Sequence, residues 1–270
     1  MVHIARINQT RGDMAGALKA IEECESRLRS INKRHWNYLL NAFQARLHLE
    51  SGDGEAAERW FTSCKLGIYH EITRTREYEL LVYARFLIAR GCSGDADILL
   101  LRLLAFARSL GQKHSMVEIL NLLAIASFNS GKTATAMDHL EKSIAIGMEE
   151  GYIRSFVDEL EPMAVLLGSF TAAGKKQQAY VEDLRLRISR ATRLMPAGYK
   201  KTVTSIPKEL TPQEKKVLQL LAAGCTNHQI AEQLNISLST VKAHNGSIYS
   251  KLQVKTRVQC INAAKEDGLI

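Results

Sequence analysis

One pattern recurs four times in the first half of the chain and narrows its fold more than any other feature. Alanines stand at Ala5, Ala45, Ala84 and Ala124, with a period of 40, 39 and 40 residues. Seven residues after each comes a glycine: Gly12, Gly52, Gly91 and Gly131. Five residues further lies a second alanine (Ala17, Ala57, Ala96, Ala136), and four beyond it a large apolar side chain (Ile21, Phe61, Leu100, Leu140). A fixed period of this length marks a repeat architecture in which each unit is one supersecondary element. The spacing predicts a helical hairpin. Two helices cross closely only where side chains are small, which accounts for one alanine in each. The glycine ends the first helix, where a left-handed residue costs it no steric penalty. Apolar residues at helical spacing, as in Leu47, Leu49, Ala57, Trp60 and Phe61, supply the buried face. One hairpin cannot bury that face alone, so the units stack. No segment shows the period-2 alternation of a strand, and an all-α fold is expected.

The charge is distributed unevenly. Residues 1–173 carry 20 basic and 21 acidic groups, whereas residues 174–270 carry 16 and 7. The whole net charge of +8 therefore originates in the last third, as a polyanion-binding tail on a neutral body would have it; a solvated basic surface is the plain alternative. Five cysteines (Cys24, Cys64, Cys92, Cys225, Cys260) include no C-x-x-C pair, so neither a disulfide framework nor a zinc site is expected. The start, Met1 to Arg6, has no apolar core of a signal peptide. The densest apolar stretch, Ile98–Ala107, is too short for a bilayer and contains Arg102. A cytoplasmic, reduced chain with no membrane partner is the expectation.

The repeats resemble tetratricopeptide-type repeats in the longer-period form of large LuxR-family, MalT-like regulators. Gly151-Tyr152-Ile153-Arg154-Ser155-Phe156-Val157-Asp158 also resembles a segment that follows the last repeat in that group. Only four residues precede Ala5, so the first helix is short: either it is an atypical cap or the chain is the tail of a longer parent, and the second reading is preferred. After Gly174 basic residues crowd a helical stretch (Lys175, Lys176, Arg185, Arg187, Arg190, Arg193). Pro196-Ala197-Gly198 ends it, and Lys200 to Ser205 reads as a tether.

The last 63 residues read as four short helices with start signals. Thr211-Pro212-Gln213-Glu214, Thr226-Asn227-His228-Gln229 and Thr256-Arg257-Val258-Gln259 are capping boxes, and Ser237 can cap a further helix. The tight turn Asn235-Ile236-Ser237 between two of these helices gives helix-turn-helix geometry. The residues Leu210-Thr211-Pro212-Gln213-Glu214, Ala223-Gly224-Cys225-Thr226-Asn227, Ile230-Ala231, Leu234, Ile236-Ser237, Thr240-Val241-Lys242 and His244 follow the LuxR-type DNA-binding pattern. Ile248-Tyr249, Lys251-Leu252, Val254 and Arg257 continue it.

The resemblance implies a TPR-like helical-hairpin solenoid over residues 1–195, a linker over 196–207 and a four-helix LuxR-type helix-turn-helix domain over 208–270. It implies that the helix from about Leu238 to Leu252 enters the major groove, with Lys242 and Ala243 at base-reading positions. Lysine donates to guanine O6 and N7. Thr240, Tyr249 and Lys251 fall where phosphate contacts are expected. Helix N-termini near Thr226, Asn227 and Thr256 can hold phosphates as well, although both threonines are equally explained as caps, and Arg257 completes the candidate DNA-binding set. Ser239 belongs to the same candidate DNA-binding set. His244, three residues after Val241, sits on the inward edge and is read as packed or phosphate-touching. Glu214 also faces inward, and a structural ion pair with Arg257 is expected.

Two residues depart from the family pattern. Asn245 interrupts the buried stripe Val241, Ile248, Leu252, and Gly246 removes a side chain where the family often contacts DNA. Weaker or less selective binding is the consequence expected. Elsewhere the sequence offers no enzyme: no catalytic residues, no cofactor site and no metal spacing among the scattered histidines at 3, 35, 48, 70, 114 and 139. Asn129-Ser130-Gly131-Lys132-Thr133 ends like a P-loop, but Ala126 stands where that motif needs glycine, and Gly131 is already explained by the repeat. The ATPase module of the large family members is not in these residues. Trp36 and Trp60 are read as core. The expected function is a transcription regulator whose partners are double-stranded DNA, a second copy on paired half-sites, and a small effector or protein on the repeat surface, with RNA polymerase a further candidate. The alternative is an interaction scaffold with a weakened, mainly non-specific DNA-binding tail.

Overall fold

A computed structural model describes residues 2–29, 34–195, 210, 212–236, 238–252, 254 and 256–270. These residues hold fifteen α-helices and no strand. The expected linker over 196–207, and the caps expected at Thr211 and Ser237, lie outside the described residues. So does the Trp36 side chain.

The first eight helices form four hairpins: α1 (Val2–Thr10) with α2 (Met14–Arg29), α3 (Arg34–Ser51) with α4 (Gly54–Ser63), α5 (Glu77–Ala89) with α6 (Ser93–Ser109), and α7 (Lys113–Asn129) with α8 (Thr133–Glu150). The four repeat glycines occupy the turns at φ +79, +90, +73 and +75°, a region closed to most side chains. Both alanines of every repeat are buried, as are the four large apolar residues that follow them. In the first two hairpins an aspartate follows the glycine and caps the second helix: Asp13 accepts from Gly16 N at 2.8 Å and Asp53 from Ala56 N at 3.0 Å. The joint between the second and third hairpins is aromatic. Phe61 stacks on Tyr83 and Phe86 at 4.7 and 4.4 Å, and the Arg90 guanidinium covers its ring at 5.2 Å. Trp60 is partly buried against the same core.

Beyond the repeats, α9 (Arg154–Val157) and α10 (Leu160–Ser169) turn back onto the face built by the first helices of the hairpins. The carboxylates at their junction anchor this return. Asp158 meets Arg6 of α1 at 3.3 Å, Arg46 of α3 at 3.9 Å and its neighbour Arg154 at 2.5 Å. Glu159 accepts from Arg85 of α5 at 2.6 and 3.2 Å. Burial opposes the charge on Arg46, but Glu50, Tyr78, Asp158 and Glu159 outweigh it and hold its pKa above the ordinary value. Asn121 of α7, fully buried, donates to the Ser155 carbonyl at 3.0 Å and accepts from Ser143 at 2.6 Å. The segment whose sequence resembles a family tail, together with the adjoining Glu159, is therefore tied into all four hairpins. Helix α11 (Lys175–Leu194) buries Val181, Leu184 and Ile188. It ends with the Leu194 carbonyl where a Cβ on Gly12 would stand, so that repeat glycine also serves a close approach.

Helices α12 (Pro212–Ala222), α13 (Asn227–Leu234), α14 (Leu238–Lys251) and α15 (Arg257–Glu266) build a separate core from Leu210, Val217, Leu218, Leu221, Ile230, Val241, Ile248, Cys260 and Ala264. Among the described residues no helix is long and apolar enough to cross a membrane.

Candidate nucleic-acid interface

The site is the helix-turn-helix of α13 and α14. Thr226 caps α13 through a complete capping box with Gln229: the threonine hydroxyl accepts from Gln229 N at 3.3 Å, and the glutamine carbonyl accepts from Thr226 N at 2.8 Å. Asn235 closes α13 in the left-handed conformation at φ +51°, which asparagine tolerates better than most residues. Ile236 N then donates back to Ala231 O at 2.9 Å, and the chain enters α14. Val241 and Ile248 point into the domain core at zero exposure, which fixes the rotation of α14. That rotation leaves Lys242, in the N-terminal half of the helix, and Gly246, one turn further on, exposed on the opposite side.

The predicted residues meet different surroundings. Lys242 is exposed. Thr226, like Thr256 (whose box with Gln259 is also complete), is engaged as a cap and remains exposed. Asn227 accepts from Asn245 Nδ2 at 3.0 Å. At 7 % exposure the Asn245 NH2 group finds a partner on α13, while its Oδ1 is buried with no hydrogen-bond partner among the described residues. Tyr249 lies against the core, and burial pushes its phenol pKa up. Arg257 faces inward. Its Nη2 donates to Leu221 O and Cys225 O, both at 2.8 Å, and so ties the start of α15 to the end of α12. Glu214 is fully buried in the same domain. The side chains of Ser239, Ala243 and Lys251 lie outside the described residues.

Two further residues meet an element that sequence reasoning did not connect with the site. The flank of α14 carrying Thr240 and His244 packs on α6 of the third hairpin. His244 is fully buried, with Nδ1 2.7 Å from Asp95 Oδ1, an ion pair whenever the imidazole is protonated. Thr240 hydrogen-bonds the Tyr69 side chain, from the connection between α4 and α5. Nothing in the linear sequence links Asp95 or Tyr69 to residues 149 and 171 positions further on.

Gly246 offers a direct check on local energetics. A Cβ there would meet nothing within 4 Å. Gly246→Ala is expected to stabilise the C-terminal domain by about 1 kcal/mol, the difference in helix propensity. A thermal melt of the variant tests this, and an unchanged or lower midpoint would contradict it.

Comparison with known proteins agrees with this geometry. The family described as "MalT-like TPR region" matches residues 1–173, and that described as "Bacterial regulatory proteins, luxR family" matches residues 208–264. The "HTH-type transcriptional regulator MalT" of Yersinia enterocolitica is 26% identical over 280 residues, covering 97% of this chain and 31% of that protein. The regulator of the same name from Yersinia pestis (strain Pestoides F) gives the same identity and coverage. The chain thus spans about a third of the length of these curated relatives. No solved structure matches it. Four stacked hairpins with glycine turns, followed by a helix-turn-helix with an exposed lysine, are the two halves of one architecture: the chain belongs to the MalT-like TPR family and carries a LuxR-type helix-turn-helix domain.

Proposed function

We propose that this chain acts in transcription regulation in the cytoplasm, with α14 reading promoter DNA in the major groove and the hairpins responding to an effector or a protein partner. One observation carries the reading: Lys242 is exposed in the first turns of the second helix of a helix-turn-helix, on a segment with 16 basic and 7 acidic groups. An α-helix with its side chains fills the major groove, and a lysine near its N-terminus reaches guanine edges while the excess charge neutralises phosphates. Two copies on paired half-sites follow from the same geometry, and RNA polymerase is the downstream partner that activation would require. The relatives are named as transcriptional regulators, which supports the same class.

The test is selection from a genomic fragment pool at two salt concentrations, repeated with Lys242→Ala. The expected result is a shared motif that survives the higher salt, with the variant losing about 1–3 kcal/mol on that motif and far less on random DNA. Uniform binding that collapses with salt would overturn sequence reading. It would favour the second reading, an interaction scaffold with an electrostatic tail, for which the bare Gly246 position speaks.

A further inference from the structure

We propose that α6, together with the 64–76 connection, is a docking surface for the DNA-reading helix of the C-terminal domain, and that docking and DNA binding exclude one another; this rests on the reading of α14 as the major-groove helix.

The argument starts from how the sides of α14 are used. One side, Val241 and Ile248, belongs to its own core, and a second, Lys242 and Gly246, is exposed. The third, Thr240 and His244, is covered by the hairpins, with His244 at zero exposure. The major groove is about 12 Å wide and a helix with its side chains about 10–12 Å across, so the groove has no room for a second helix alongside. With α6 packed on its flank, α14 cannot enter DNA.

The covering groups are chemically suited to stand in for DNA. A duplex would present phosphate oxygens along the edges of α14. The hairpins present the Asp95 carboxylate to the His244 imidazole and the Tyr69 hydroxyl to Thr240. The Tyr69 loop is itself held in place: Arg102 of α6 donates to the carbonyls on both sides of it, Ile68 at 2.5 Å and His70 at 3.1 Å. Asp95 comes from the first turn of the same helix and is 2 % exposed. The contact is also incomplete. His244 Nε2 is buried with no hydrogen-bond partner among the described residues, an unmet group that favours release. A docked state that leaves the buried Nε2 unmet among the described residues, and whose release exposes it to water or phosphate, is suited to a reversible switch.

The experiment uses the full chain as wild type, Asp95→Ala and Tyr69→Phe. Affinity is measured for a duplex from the genomic selection, and hydrogen exchange of α6 and α14 is measured without DNA. Asp95→Ala is expected to bind about tenfold more tightly with unchanged sequence preference, within the usual range for coupling between two sites. Its α14 amides should exchange faster while those of α7 and α8 stay as in the wild type. Tyr69→Phe, which keeps the ring and removes one hydroxyl, should shift both readouts the same way by less, and it serves if Asp95→Ala folds poorly. Unchanged affinity and unchanged α14 exchange in both variants would overturn the proposal. Faster exchange without any duplex binding by wild type or variants would instead overturn the DNA reading, and with it the exclusion.

Discussion

Arg257→Ala is expected to remove most of the stability of the C-terminal domain. The guanidinium makes two charge-assisted hydrogen bonds to main-chain carbonyls, Leu221 in the last turn of α12 and Cys225 in the connection to α13. Each such bond is worth about 1.5–3 kcal/mol, and truncation leaves both acceptors without that donor. A loss of about 3 kcal/mol or more compares with a total of about 3–9 kcal/mol for a domain of this size. Calorimetric unfolding of the full chain should show the C-terminal transition moving down while the repeat transition stays in place. The same experiment separates two roles for this residue. A phosphate-contacting arginine would leave the melt unchanged and lower only the salt dependence of DNA binding.

Phe86→Ala should be the most damaging single truncation in the hairpins. Phe86 is 1 % exposed, stacks on Phe61 at 4.4 Å and lies in the core shared by the second, third and fourth hairpins. Removing a buried phenyl ring costs about 3–5 kcal/mol through lost burial and the cavity left behind. In a stacked array the loss falls on the contact between neighbouring units, so the second and third hairpins should uncouple first. Denaturant unfolding read on Trp60, which packs on this core, checks the prediction. A cost below about 1 kcal/mol would mean that the joint repacks around the missing ring.

Much of the architecture was legible because it repeats. Each glycine of the 40-residue pattern falls in the left-handed region, and each paired alanine is buried. These are local demands, set by a tight turn and a close helix crossing, and a sequence must meet them at every copy. The capping boxes at Thr226 and Thr256 were equally readable, since both partners lie within four residues. Asn245 shows where such reading stops. As a break in an apolar stripe it pointed to weaker or less selective DNA binding; what the spacing could not show is that its side-chain NH2 donates to Asn227, eighteen positions earlier. Arg257 likewise carried the family's DNA-binding signature, while its guanidinium binds carbonyls 32 and 36 positions away.

By itself the sequence determined the all-α fold, the number and register of the hairpins, the helix boundaries that have caps, and the rotation of α14 about its apolar stripe. All of these follow from spacing along one chain segment. Only the tertiary structure decided what the polar residues meet. Asp158 and Glu159 reach three separate hairpins, Gly12 receives the end of α11, and His244 meets Asp95 across two domains. The physical reason is that a periodic apolar pattern specifies which face is buried, whereas an ion pair or hydrogen bond is specified by the one partner that folding brings within about 3 Å.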